Sequence, residues 1–443
     1  MRTSLAVVLA AGEGKRMKSR LPKVLHPIGG LPMLFHVLNA IGAGVDRIVV
    51  VASPAWKEEI ARAVGREYPQ AVVLVQTEQR GTAHAALVAR DVFSGADDVV
   101  VVFGDTPFVS SKSIELMRGK LADGASLVVG GMLPDDPTGY GRLIMQGRQL
   151  VAIREERDAS DAERAIEFCN GGIMALAGAT ALDILDEIED DNEQNEFYLT
   201  DAVEIAHLRG LSVAAIEIAA DEALGINDRS QLAQAERLFQ TRRRAEFMAA
   251  GVTMIAPETV FFAHDTTLSR DVVIEPNVVF GPGVTIGEGV TVRAFSHIAG
   301  AHVAPGAIIG PFARLRPGAS IGAGAHIGNF VEIKQADVGE GAKINHLSYV
   351  GDASVGAAAN VGAGTITCNY DGVAKHRTDI GKGAFIGSNS ALVAPVTIGD
   401  GAYVASGSVI TEEVPADALA FGRARQVNKP GRAAERRNKK SSS

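Results

Sequence analysis

Where a first apolar run ends at Ala11, the chain continues Gly12-Glu-Gly14-Lys-Arg16-Met17 and soon after Pro22-Lys23. A glycine-rich turn following a strand exposes backbone N–H groups to phosphate oxygens, and nearby cations add charge. The turn is not a dinucleotide-binding G-x-G-x-x-G, because Met17 fills the third glycine position, and it is not a P-loop. A loop that merely turns the chain has the same composition, so the turn alone leaves both readings open. A second set of polar groups lies much later: Arg314-Leu-Arg316-Pro-Gly318, Asn329-Phe-Val-Glu-Ile-Lys334, Asn345-His346-Leu-Ser-Tyr349, Asn360 and Cys368-Asn-Tyr-Asp-Gly372. Their neighbours are small or aliphatic. Histidine titrates near neutral pH and can take a proton from a nucleophile. Any of the ten histidines taken alone is more often a surface or hydrogen-bonded structural residue.

Two kinds of element must position these groups. Over the first 225 or so residues, short apolar runs alternate with helical segments, as at Leu5–Ala11, Ile48–Ala52, Ala71–Gln76 and Val99–Phe103. That alternation predicts βαβ units around a mostly parallel sheet. A polar helix is expected over 227–250, capped by Asn227 or Asp228, with a thin stripe of Leu232, Ala235 and Phe239 and a solvated Arg242-Arg-Arg244.

Beyond Gly251 a period of six appears. Aliphatic or aromatic residues fall at Ile274, Phe280, Ile286, Val292 and Ile298, at Ile309, Leu315, Ile321, Ile327 and Ile333, and from Ile380 through Ile410. Between these runs come Val338, Ile344, Val350, Val355 and Val361. Glycine often follows, as in Ile286-Gly287 and Ile321-Gly322, and is expected to permit the tight corner. Three such units make one coil of a parallel β-helix, which buries a ladder of aliphatic residues and contacts mainly the coils on either side. An amphipathic helix is excluded, since glycine costs about 1 kcal/mol at each interior helical position. Cys368 to Asp379 breaks the period and should leave the coil. The expected organisation is a 1–226 domain, a 227–250 helical linker, a 251–422 β-helix and a 423–443 basic tail.

The 443 residues exceed one ordinary core, so two domains are expected. A net charge of −9 argues against general nucleic-acid binding. Cys169 and Cys368 suggest no disulfide framework. No apolar stretch is long enough to span a bilayer. These features predict a cytoplasmic protein with no nucleic acid as partner and no membrane insertion.

The pattern Leu9-Ala-Ala-Gly-Glu-Gly-Lys-Arg-Met17 with Leu21-Pro-Lys-Val-Leu25 closely resembles the signature of sugar-1-phosphate nucleotidyltransferases. Gln79-Arg-Gly-Thr-Ala-His84, Phe103-Gly-Asp-Thr-Pro107, Gly139-Tyr-Gly-Arg142, Glu155, Asn170, Glu196-Phe-Tyr-Leu-Thr-Asp201 and Gly225-Ile-Asn-Asp228 follow in that family's order. With the repeats added, nearly the whole chain resembles the bacterial bifunctional UDP-N-acetylglucosamine pyrophosphorylase/glucosamine-1-phosphate N-acetyltransferases.

The resemblance implies an α/β, Rossmann-like nucleotidyltransferase domain, a connecting helix and a left-handed parallel β-helix, assembled as a homotrimer. It implies acetylation of glucosamine-1-phosphate with acetyl-CoA, then uridylyl transfer from UTP with Mg²⁺, giving UDP-N-acetylglucosamine for peptidoglycan and lipopolysaccharide precursors. In the first domain Arg16 and Lys23 would clamp the triphosphate, and Asp105 with Asn227 would hold Mg²⁺. Leu9, Ala10, Ala11, Gly12, Gln76, Gly81, Thr82 and Gly104 would contact the nucleotide, and Gly141, Glu155 and Asn170 the sugar. In the β-helix His346 would be the base, while Arg316, Lys334, Tyr349 and Asn360 would bind glucosamine-1-phosphate. Ala363, Asn369, Tyr370, Ser388, Ser406 and Arg423 would line acetyl-CoA, with Arg423 opening a tail that covers the CoA phosphates. Lys15, Phe103, Gly171 and Ser406 depart from residues common in the family, without loss of a charge or metal ligand. A single-activity nucleotidyltransferase whose β-helix is structural or regulatory is the alternative.

Overall fold

Strand β1, Ser4–Ala10, is buried at every position, as suits a central strand covered on both faces. In the computed structural model, residues 2–42, 44–147 and 149–440 are described. They fall into two compact units divided inside the helix Arg229–Ala249, after Phe239.

The first unit is built on a nine-stranded sheet. Its further strands are β2 (Arg47–Ala52), β3 (Val72–Val75), β4 (Asp98–Phe103), β5 (Leu127–Met132), β6 (Arg142–Gln146), β7 (Gln149–Arg154), β8 (Cys169–Ala177) and β9 (Val213–Glu217). The main path runs β9-β5-β8-β4-β1-β2-β3. All neighbours on it are parallel except β8, which is antiparallel to β4 and β5. Alternation along β1 sorts its side chains: Leu5, Val7 and Leu9 join one buried cluster, and Ala6, Val8 and Ala10 join the other. The expected mostly parallel sheet is present.

At the N-terminus of the helix Arg229–Ala249 the cap is Asp228, whose Oδ1 accepts from the backbone of Ser230 and Gln231 at 2.9 Å each. Ala235 and Phe239 are buried, with Leu232 packed beside them. The arginine run corrects the expectation of a merely solvated face. Arg243 donates to Thr266 O at 2.9 Å and lies 4.5 Å from the Phe247 ring centre, and Arg244 donates to Pro257 O at 3.1 Å. Arginine carries several donors on a long apolar stem, so it can pack and pair where composition alone suggests solvent.

The second unit is a left-handed parallel β-helix with three faces. Face one runs from Thr253–Met254 to Leu419–Ala420. Face two includes Phe261–Phe262, Arg314–Leu315 and Glu332, and face three includes Thr267–Leu268, Ser320 and Asp337. Every repeat position named above is buried in one continuous column. Burial of each such side chain is worth roughly 1.5–3 kcal/mol before conformational entropy is charged against it.

The glycines after the aliphatic positions do not act as corner residues. A Cβ on Gly322 would lie 2.6 Å from the Gly339 carbonyl carbon, and one on Gly339 2.6 Å from Ala357 N. They are small because the next coil passes against them. The left-handed turn is made two residues later, by Gly289 after Ile286-Gly287 and by Gly324 after Ile321-Gly322, with φ of 68° and 63°.

The period break resolves to residues 369–377. Cys368 ends the strand Ile366–Cys368, and Asp379 is already back on face three opposite Ser354. The excursion is internally bonded: Asp371 Oδ1 accepts from Val373 N and Ala374 N, and Asp371 Oδ2 lies 2.7 Å from His376 Nε2.

Candidate functional site

In the first unit the sheet order reverses between β1 and β4, which pair from Ser4↔Asp98 to Leu9↔Phe103. Open α/β sheets bind ligands beyond the carboxyl ends of the strands at such a switch. Two loops leave there. One carries Gly12 to Lys23, and the other carries Gly104, whose N–H donates to Leu9 O at 2.9 Å, followed by Asp105.

Gly14 makes the first loop possible: its φ is 64°, and a Cβ would stand 2.7 Å from Lys23 Cβ. Lys23 thereby reaches inward. Its Nζ contacts Asp105 Oδ2 and lies 3.1 Å from Asn227 Oδ1, in a largely buried pocket. A carboxylate and an amide oxygen thus converge on one cation. This hard-oxygen pair suits Mg²⁺, which uses one or two protein oxygens together with phosphates and water.

Leu9, Ala10, Ala11, Gly12, Gln76, Gly81, Thr82 and Asp105 line one cavity with Lys23. Arg16 and Asn227 line its continuation at one end, and Glu155 and Asn170 line it at the other. Arg16 is exposed. Gly81 has φ 109°, and a Cβ there would sit 2.5 Å from Phe197 O. That close approach fixes the segment around Phe197 over the helix Thr82–Leu87, with Leu199 N–H donating to Thr82 Oγ1 at 2.9 Å.

At the far end, Asn170 N–H donates to Gly141 O at 2.7 Å, and a Cβ on Gly141 would come 3.5 Å from the Glu155 carboxylate. Burial holds the Glu155 carboxyl above its ordinary pKa, partly opposed by a hydrogen bond from Thr200. Burial, then the charge of Glu155, pushes Asp201 up to about 6. At Gly171 a Cβ would be 2.8 Å from Gly130 O, so a side chain at this departure would require the adjoining strand to shift. Lys15 is exposed and pairs with Glu13 at 2.5 Å. Gln79, Phe103 and Glu196 also line the cleft, although the sequence reading gave them no site role.

In the β-helix the register aligns the candidates in ladders. Ile344 pairs with Val361, Val361 with Ile386, and Ile386 with Val404. Two residues further on, His346, Ala363, Ser388 and Ser406 therefore stack at the corner between faces one and two. The stem of Arg423 comes alongside, its Cδ 3.9 Å from the point a Cβ on Gly407 would occupy.

A second ladder lies on face two. Arg314 pairs with Glu332 and Lys334 with Gly351, which puts Arg316 and Lys334 at equivalent points on successive coils. Arg316 donates to Glu332 Oε1 at 2.8 Å. Tyr349 lies over Gly351, where a Cβ would collide with its ring. Asn369 approaches the Tyr349 hydroxyl at 3.4 Å and donates to Asp352.

The excursion returns Lys375 against Lys334. Their contact and mutual repulsion, then desolvation and the charge of Arg316, hold the Lys334 pKa below its ordinary value. Lys375 was absent from the sequence-based set, although it lies in the segment that breaks the period. Tyr370 is exposed at the tip, its hydroxyl donating to Gly372 O at 2.7 Å. Asn360 stands apart on face one, between Lys343 and Phe385. One chain thus divides the sugar-binding candidates between two faces that meet at the His346 corner.

Residues 6–191 match the model of a MobA-like NTP transferase domain. Residues 265–300, 300–335 and 377–412 match that of the bacterial transferase hexapeptide repeat. The bifunctional protein GlmU of Allorhizobium ampelinum is 59% identical over 98% of this chain and 96% of its own length. That of Bradyrhizobium sp. is 55% identical over 99% and 98%, and that of Azorhizobium caulinodans 59% over 98% and 97%. Similarity of this extent, spanning both the nucleotide-type cleft and the β-helix, shows that the chain belongs to the bifunctional GlmU family.

Proposed function

We infer that the chain is a bifunctional transferase: it acetylates glucosamine-1-phosphate with acetyl-CoA, then transfers uridylyl from UTP to the product, giving UDP-N-acetylglucosamine and pyrophosphate. The observation that carries this reading is the near-full-length identity to proteins named bifunctional, across two units that each hold a cationic site. The product feeds peptidoglycan and lipopolysaccharide precursors.

For uridylyl transfer, the phosphate oxygen of N-acetylglucosamine-1-phosphate attacks the α-phosphorus of UTP as the bond to pyrophosphate breaks. Positioning and charge neutralisation supply most of such catalysis. Arg16 and Lys23 bind the triphosphate, and Glu155, Asn170 and the Gly141 backbone orient the sugar. Asp105 and Asn227 would hold Mg²⁺, which neutralises charge on the phosphates.

For acetyl transfer, the amine nitrogen attacks the thioester carbonyl. The C–N bond forms, the C–S bond breaks, His346 takes the amine proton, and the CoA thiolate is released and protonated. Arg316, Lys334 and Lys375 form the phosphate-binding group. Ala363, Ser388 and Ser406 offer a small-residue corner for acetyl-CoA, with Asn369, Tyr370 and Arg423 beside it.

We place the acetyl-transfer sites between chains of a homotrimer. The division of candidates between two faces supports this arrangement. So does the exposed stack of Phe295, Phe312 and Phe330, with ring centres 4.9 and 5.1 Å apart, beside the same corner. No helix among the described residues is long and apolar enough to cross a membrane. The use of UTP and acetyl-CoA as co-substrates supports work in the cytoplasm.

Two separate assays test the reading: thiol release from acetyl-CoA with glucosamine-1-phosphate, and pyrophosphate release from UTP with N-acetylglucosamine-1-phosphate and Mg²⁺. Both proceed if it is right. A folded preparation lacking thiol release would overturn it.

A further inference from the structure

We propose that Asn329 is a positioning residue for acetyl transfer, holding the His346 ring in the tautomer whose Nε2 is free to accept the amine proton. The inference rests on the reading of His346 as the base.

The backbone prepares this contact. On face one most strands are two residues long, but His326–Asn329 and Lys343–His346 have four each. Pairing continues to Asn329↔His346 at the corner, whereas the next pair of strands stops at Ile344↔Val361. Gly328 permits the extension, because a Cβ there would collide with the Asn345 carbonyl. Asn329 thus lies one coil below His346, its Oδ1 2.6 Å from His346 Nδ1.

An amide oxygen can only accept, so Nδ1 must carry the hydrogen and the Nε2 lone pair is left outward. Ring and amide are both near the surface, so without the bond the imidazole could rotate and exchange tautomers. The partner is neutral, and it orients the ring without adding the charge that would raise its basicity. The other titratable groups are few: His326 on the strand below and Lys343 on the same strand, with Arg293 further along. Burial, then Arg293, Lys343 and His346, hold His326 below its ordinary pKa. The strand above, Asn360–Val361, has no titratable side chain, and across the corner Glu332 is engaged by Arg316.

The test measures acetyl transfer against pH in the full-length protein and in Asn329→Ala, Asn329→Asp and His346→Ala, with thermal unfolding as the folding control. Asn329→Ala should lose about 10- to 100-fold in kcat, the usual effect of removing a ring-orienting partner, with KM for both substrates within about twofold. Asn329→Asp should move the acid limb of the profile upward by about one pH unit and recover rate above it, since a carboxylate stabilises the imidazolium. An unchanged kcat in Asn329→Ala, or an acid limb in Asn329→Asp that coincides with the parent's, overturns the proposal. Retained acetyl transfer in His346→Ala would instead overturn the reading of the base, so the two failures are distinguishable.

Discussion

The Lys23 ammonium touches the Asp105 carboxylate, and the same nitrogen lies 3.1 Å from Asn227 Oδ1. One cation therefore joins the loop after β1, the loop after β4 and the residue before the cap of the long helix. Lys23→Met would leave Asp105, largely buried, without its ammonium partner. The expected result is a fall of at least about 100-fold in uridylyl transfer, as when a preorganised charged group is lost. Acetyl-transfer rate in the same preparation serves as the comparison.

Asp105→Asn removes charge but little volume. Because Mg²⁺ prefers anionic oxygen, the variant should need at least about tenfold more Mg²⁺ for half-maximal uridylyl transfer, with acetyl transfer indifferent to added chelator. Equal Mg²⁺ dependence in variant and parent would remove Asp105 from the metal site.

Lys334 and Lys375 repel one another, and an anion between them would relieve that repulsion. Lys375→Ala should raise the KM for glucosamine-1-phosphate by about tenfold, the loss of one exposed phosphate contact, while the KM for acetyl-CoA stays near the parent value. Steady-state kinetics with each substrate varied separately checks this.

Asp201 carries a stability prediction. Its folded pKa, about 6, exceeds the ordinary aspartate value of about 3.9, so between these pH values the folded state binds more protons than the unfolded one. Its contribution therefore falls as pH rises through that window. Asp201→Asn should raise Tm relative to the parent at pH 7 and lose that advantage near pH 4. Thermal melts of both proteins across the range measure the difference.

Much of this was legible in the residues. The hexapeptide period identified the buried column because side-chain direction in a coil repeats with the strands. The alternation of apolar runs similarly identified the parallel sheet. The glycine-rich turn was visible but ambiguous, and only the fold brings its Lys23 to Asp105 and Asn227, positions separated by much of the domain. Glycine's purpose in the coils was less legible. Composition suggests a corner, while Gly322 and Gly339 are small because a neighbouring coil crosses them. Lys375 was missed, and Asn329 was named without a role, for a related reason. One depends on the path of an aperiodic excursion, the other on pairing that extends two residues beyond the usual strand.

The most direct test of two sites acting in sequence incubates the protein with glucosamine-1-phosphate, acetyl-CoA, UTP and Mg²⁺ and identifies products by mass spectrometry. The parent should yield UDP-N-acetylglucosamine, free CoA and pyrophosphate. His346→Ala should yield no UDP-sugar until N-acetylglucosamine-1-phosphate is added, and then form it at close to the parent rate. UDP-N-acetylglucosamine made by His346→Ala without that addition, or none made by the parent, would contradict the account.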